Sequence, residues 1–281
     1  MKASDNGPLA LRALAVTVSA LLGTVIAFIL VSGIEALFKG RSMDLFGAVW
    51  NPAAGKFGIL AMIHGTLLLA LSSLVLGFLL SLGCCCILNG LAPKPVASAL
   101  MLLLTVMTAM PTVVYGFAAV FLLVPLIRSA LGGTGFCWLA AALLLALQGL
   151  PAMTLLMHGA VKTHAAQTRL TAESLGLTKA QHLARIALPL SSRAMLSAAV
   201  IGLGRAVGDA LLPAMLAGNA IRFAKTPLDS LRTLTSHISL VLSSDIGGGE
   251  HLSLLLAGAL LLLFCAAVSL TARRLSRRKG A

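Results

Sequence analysis

Arg205 and Asp209 are the only charges in the apolar run Leu203-Gly-Arg-Ala-Val-Gly-Asp-Ala-Leu-Leu212. A span that begins near Ala194 puts Arg205 about 17 Å along a helix axis, near the middle of a bilayer. A charge at that depth costs about 2.5–3.5 kcal/mol or more on insertion scales, so it has to face protein or water. Two chemistries fit the spacing. One is an i,i+4 ion pair that neutralises itself, although base-then-acid is the weaker order on a helix. The other is an anion site. A guanidinium presents a planar fork that matches two oxygens of an oxyanion. An ionised carboxylate only accepts hydrogen bonds, so it favours an oxyanion that keeps a proton and repels a fully ionised one. Gly204 and Gly208 lie on one face and allow close approach of a helix or a ligand.

A second constellation is Met110-Pro-Thr-Val-Val-Tyr-Gly-Phe117. Pro111 removes a backbone donor and, with Gly116, brackets a place where a helix can open. Thr112 and Tyr115 bring hydroxyls there. An ordinary proline kink between packed helices explains the same residues; an interrupted helix that exposes donors to an anion and supplies a gate is the functional alternative.

The third lies between residues 170 and 189. Gly176 suits the left-handed residue that ends a helix. Thr178 and Gln181 have capping-box spacing for the next one, and Pro189 marks the start of a further segment. Leu170, Leu175, Leu177, Leu183 and Ile186 need something to cover them. The segment reads either as a plain surface hairpin or as a docking element. Further on, Leu228, Leu231, Leu234, Ile238 and Leu242 fall at helical spacing, and a Gly247-Gly-Gly-Glu-His251 turn leads into the last apolar run. His237, Glu250 and His251 lack regular metal-ligand spacing. Cys84, Cys85, Cys86, Cys137 and Cys265 all lie in apolar runs without a C-x-x-C pair and read as small buried or lipid-facing residues.

The elements that must position these residues are membrane helices. Of 281 residues 59% are hydrophobic and 10% charged, far from the composition of a soluble domain. Apolar runs of 20 residues or more satisfy their own backbone hydrogen bonds as spanning helices. Six spans are expected, at about Leu11–Gly33, Phe57–Leu88, Pro95–Ile127, Phe136–Met157, Ala194–Ala217 and Leu252–Ala272. The first run is too long for a cleaved signal peptide. With the N-terminus inside, inner segments hold thirteen of the 21 Lys and Arg and outer segments seven, with Arg205 in the membrane; this places both termini in the cytoplasm. No linker or internal repeat divides the chain, so 1–281 is expected to be one transmembrane domain, with an inner loop at 158–193 and an outer loop at 218–251. The net charge of +13 is spread over inner loops and is not interleaved with aromatics, which argues against nucleic acid. No paired catalytic carboxylates, Ser/His arrangement or His-Glu-x-x-His helix points to an intramembrane enzyme, and no phosphate loop for ATP is present.

Gly176, nine intervening residues, then Ile186, Leu188 and Pro189 resemble the EAA loop of importer-type ABC permeases. Gly204-Arg-Ala-Val-Gly-Asp-Ala210, Pro111-Thr-Val-Val-Tyr-Gly116, Leu-Ala-Gly-Asn-Ala220 and the Arg232-Thr-Leu-Thr and Glu250-His251 text resemble the phosphate-specific permeases of that family, the C (PstC) type more than its A-type sister. The resembling segments run from about 57 to 275. Leu170 stands where the loop usually has Glu, with Glu173 nearby but out of register; Asp209 stands for Glu and Ala210 for Thr. The resemblance implies the type I importer permease fold, all α with about six spans, and import of phosphate across a bacterial inner membrane. It implies two related permeases, two ATPase subunits that hold ATP and magnesium, and a periplasmic phosphate-binding protein. This chain then carries no cofactor or catalytic site of its own. Leu170, Glu173, Gly176, Ile186, Leu188 and Pro189 are implied for ATPase docking; Arg205, Asp209, Thr112 and Tyr115 for the anion; Pro111, Gly116, Gly204 and Gly208 for the gate. The outer loop is implied to carry a helix lying on the membrane. A cargo of sulfate, molybdate or phosphonate, and an autonomous anion channel, remain as alternatives.

Overall fold

A computed structural model describes residues 7–39, 45–242 and 248–278. Its helices are α1 (Gly7–Lys39), α2 (Leu60–Cys86), α3 (Lys94–Ala109), α4 (Thr112–Leu131), α5 (Trp138–Ser174), α6 (Lys179–His182), α7 (Leu188–Leu190), α8 (Ser192–Gly208), α9 (Leu211–Leu216), α10 (Leu234–Leu242) and α11 (Gly248–Arg278). A two-residue antiparallel pair, β1 (Trp50–Asn51) with β2 (Lys56–Phe57), closes the turn before α2.

Long apolar stretches without interior charges make α1, α2, α4, α5 and α11 long enough to cross a bilayer. A sixth crossing is obtained if the bent pair Lys179–Leu190 and Ser192–Gly208 is one span. The expected count of six therefore holds, but two of the spans are not single helices. The third is divided at Met110 and Pro111, both extended, between α3 and α4. The fifth is divided at Asp209, also extended, between α8 and α9. The first break follows from the missing amide of proline. The second replaces the continuous helix expected through Ala217.

α5 is the axis of the fold. Its apolar window is two-thirds buried, whereas that of α1 is bare. α2 and α8 flank α5, with Gly77 against Ala146 and Gly202 against Met153. α1 lies outermost and touches α11 through Gly33 and Ala259. α5 continues to Ser174, so at 37 residues it is about 55 Å long against roughly 30 Å of hydrocarbon. The first half of the expected inner loop is thus the protruding end of this helix.

Candidate functional site

At the first break, residue 111 has no N–H for the Met107 carbonyl that it would bond in an unbroken helix. The buried Tyr115 hydroxyl takes over and donates to that oxygen at 2.8 Å. The side chain that sequence reasoning offers to an anion is therefore occupied with re-satisfying the opened turn. Gly116, one residue on, packs directly on Met215 and Leu212 of the short α9. A larger residue there would force the Met215 side chain to move.

At the second break Asp209 is the joint. Its Oδ1 accepts the amides of Leu211 and Leu212, each at 2.9 Å, and so holds the start of α9. Its backbone carbonyl accepts from Thr235 Oγ1 at the head of α10. Its Oδ2 accepts from Gln148 Nε2 of α5 at 3.1 Å, and the same nitrogen lies 3.0 Å from Thr112 Oγ1 at the first residue of α4. Thr112 and Asp209, 97 positions apart in sequence, are thus brought together by a residue that the sequence reading did not select. Gln148 is 4% exposed, and among the described residues its Oε1 has no hydrogen-bond partner. A lone amide within the apolar run of α5 was the available signal.

Arg205 and Asp209 do not form the i,i+4 pair. The helix ends between them, and Asp209 turns to α9 and Gln148. Among the described residues the Arg205 guanidinium has no hydrogen-bond or ion-pair partner, although its backbone carbonyl accepts the Asp209 amide; the ion pairs present are Lys39–Glu35, Arg169–Glu173 and Arg222–Asp229. Its charge reaches Tyr115. Gly204 and Gly208 on either side have open space where a Cβ would stand, and Arg205 itself is exposed among the described residues. The arginine, both glycines and Pro111 lie on exposed surface next to the two breaks.

The inner hairpin follows its local code. Gly176 sits at φ 70°, and its N–H caps α5 by bonding the Glu173 carbonyl. Thr178 and Gln181 complete the capping box in both directions. Thr168 of α5 and His182 of α6 approach at 2.7 Å and brace the hairpin. A wide π turn, Leu183–Ala187, leads through Leu188 and Pro189 to a 69° bend at Ser191. Leu170 is 80% exposed and Leu175 is also bare, whereas Leu183 is buried against Cys85, Met157 and Val161; the chain itself covers that residue, contrary to expectation. Ile186 and Leu188 are half-buried and Pro189 is exposed. Glu173 pairs with Arg169 on its own helix.

The outer segment departs from its expected form. Helix begins only at Leu234, and residues 218–233 form an irregular plug rather than an amphipathic helix on the surface. Leu231 fits the helical spacing because it is fully buried in this plug. The plug's Asp229 and Pro227 carbonyls accept the first amides of α5, from Trp138 and Leu139. The Arg232 backbone lies directly on Gly65 of α2, and Thr66 Oγ1 accepts the Leu234 amide. In α10, His237 is fully buried with Trp50 against its ring at 4.4 Å; burial, then the charge of Arg232, pushes it down to about 4. Of the expected Gly247–His251 turn, Gly247 lies outside the described residues, while Glu250 and His251 belong to α11.

Several known proteins resemble this arrangement. The phosphate transport system permease protein PstC of Xylella fastidiosa (strain 9a5c) is 30% identical over 92% of this chain and 91% of its own length. The probable ABC transporter permease protein YqgH of Bacillus subtilis (strain 168) is 29% identical over 82% of this chain and 76% of its own. A structure of the MetNI methionine ABC transporter superposes with a TM-score of 0.60 at 16% identity, covering 76% of this chain and 92% of that one, which speaks for the fold alone. The family model of the binding-protein-dependent transport system inner membrane component covers residues 85–280, from the end of α2 through both helix breaks and the inner hairpin, and the chain belongs to that family of ABC importer permeases.

Proposed function

We propose that this chain is a C-type permease subunit that forms half of the route by which an ATP-driven importer carries inorganic phosphate across the inner membrane. The observation that carries the reading is Arg205, a guanidinium without a partner among the described residues, set between two open glycines beside two helix breaks. Arg205 makes the charge contact with the passing anion. Thr112, Tyr115 and Asp209 form the wall beside it, with their polar atoms engaged across the breaks. Pro111, Gly116, Gly204 and Gly208 allow the gate to move. The PstC relatives support phosphate as the cargo.

The inner hairpin docks on an ATPase subunit through Leu170, Leu175 and the Gly176–Pro189 turn, with Ile186 and Leu188 at its edge. Apolar side chains as bare as Leu170, at the tip of a helix that protrudes well past the hydrocarbon, fit a protein partner. Glu173 holds Arg169 in place on the same surface. Two such ATPases supply ATP and magnesium; this chain carries no catalytic group. An A-type sister permease completes the route, a periplasmic phosphate-binding protein delivers the anion, and both termini lie in the cytoplasm, with 158–193 inside and 218–251 outside.

The test is uptake of labelled phosphate by cells that depend on this transporter and carry Arg205→Ala. Uptake should fall to background, and uptake at the wild-type rate would defeat the assignment. Competition by unlabelled sulfate, molybdate and phosphonate separates phosphate from another oxyanion as cargo.

A further inference from the structure

Gln148 stands at the centre of a closed circuit. It projects from α5, where its Nε2 reaches Thr112 Oγ1 at the head of α4 and Asp209 Oδ2 at the joint of α8 and α9. The other oxygen of Asp209 fixes the start of α9, and α9 returns to α4 by packing on Gly116. From these contacts we infer that Gln148 is a positioning residue for transport: its amide couples the two helix breaks so that they open and close together. The inference rests on the two breaks being the moving wall of the route.

Three observations support this role over mere filling of space. One nitrogen with two hydrogens serves two acceptors on different helices, which neither an apolar residue nor a hydroxyl of similar size could do. The acceptors lie on the first residue after one break and on the residue that makes the other, so the amide spans both joints and nothing else. The side chain is also buried, at 4% exposure, so its two contacts are made out of reach of bulk water, where a hydrogen bond to a carboxylate counts for more.

The pairing has a polarity, which makes it testable. Gln148→Glu sets two carboxylates against each other. Asp209→Asn sets two amide groups together but keeps an oxygen for the Leu211 and Leu212 amides. The double variant restores one donor against one acceptor in the opposite sense, and the Thr112 hydroxyl then donates to the new carboxylate. The four forms are assembled as the complete transporter in proteoliposomes, with binding protein and inorganic phosphate. Assembled complex, maximal uptake rate and half-saturating phosphate concentration are measured for each.

Gln148→Glu, which sets two acceptors against each other, should lose about tenfold or more of the maximal rate, in keeping with loss of a hydrogen bond to a charged group; Asp209→Asn should lose less, because a reversed Gln148 amide can turn its Oε1 to the new Nδ2–H. The half-saturating concentration should stay within about twofold, and the double variant should recover to within about threefold of the wild-type rate. If a single variant fails to assemble, restored assembly in the double supports the coupling equally. A double variant no better than the worse single variant, or Gln148→Glu at full rate, overturns it. If the wild-type vesicles accumulate another oxyanion instead of phosphate, the cargo assignment fails, and the same four-way comparison with that oxyanion decides the role of Gln148.

Discussion

The Gly176–Pro189 hairpin and the site at the two helix breaks are built on opposite principles. The hairpin is held by neighbours in sequence: Gly176 bonds three residues back, and Thr178 and Gln181 cap each other three apart. The site at the breaks draws Thr112 from α4, Gln148 from α5 and Asp209 from the joint between α8 and α9. A locally held element keeps its shape when its surroundings move, which suits a part that must be pushed. A site assembled across helices changes shape whenever those helices shift, which suits a part that must open. Variants that separate these behaviours sharpen the contrast.

The largest effect is expected at Arg205. Arg205→Ala should abolish uptake, while Arg205→Lys, which keeps the charge but lacks the planar fork, should retain a small fraction, read as initial rate of labelled phosphate entry. Pro111→Ala comes next. It restores the missing amide and lets Met107 bond within a continuous helix, so Tyr115 loses its acceptor and α4 re-aims; a fall of about tenfold in uptake with normal assembly is expected. Equal losses from Pro111→Ala in uptake and in ATPase docking would erase the distinction between the two regions.

His237 tests the outer plug by pH. Its folded value of about 4 lies below the usual imidazole range, so the fold favours the neutral ring. The stability this contributes is complete above about pH 6.5 and is lost as pH falls toward 4, on the order of 3 kcal/mol over that window. Arg232 faces the ring as a further charge, and Trp50 packs on it. His237→Phe should flatten the low-pH side of the thermal unfolding profile of the purified complex, while an unchanged profile would mean the ring does not titrate with unfolding. The smallest effect is expected at the hairpin: Thr178→Ala removes one capping bond, worth about 1 kcal/mol. It should weaken co-purification of the ATPase several-fold and leave phosphate specificity untouched.

The hairpin was legible because its code is short-range: a glycine at a helix end and a Thr-x-x-Gln cap mean the same thing in most surroundings. The break at Pro111 was legible only as a candidate, since Pro125 and Pro151 lack the same donor and lie inside continuous helices; what sets Pro111 apart is the extended backbone of Met110 and Pro111 and the Tyr115 hydroxyl that takes the Met107 carbonyl. The break at Asp209 was not. Arg205 and Asp209 sit at ion-pair spacing only if the helix continues between them, and it ends because Asp209 finds two amides of α9 and Gln148 across the core. Gln148 has no spacing partner in sequence, so its role follows only from the packing of α4 against α9. Leu234, Ile238 and Leu242 do fall on a helix, α10, but Leu228 and Leu231 were misread because burial in the irregular segment imitates the helical period: Leu231 is hidden by the chain fold, not by a helix face.

One feature of α5 joins these regions. The helix starts under the carbonyls of Pro227 and Asp229, carries Gln148 about 15 Å further on, and ends at the hairpin 37 residues from its start. Pro151 lies in its interior, three residues past Gln148, and leaves the Leu147 carbonyl without its usual amide. One helix therefore ties both ends of the molecule to the amide between the breaks, and the turn where that helix bends most readily sits directly beside that amide.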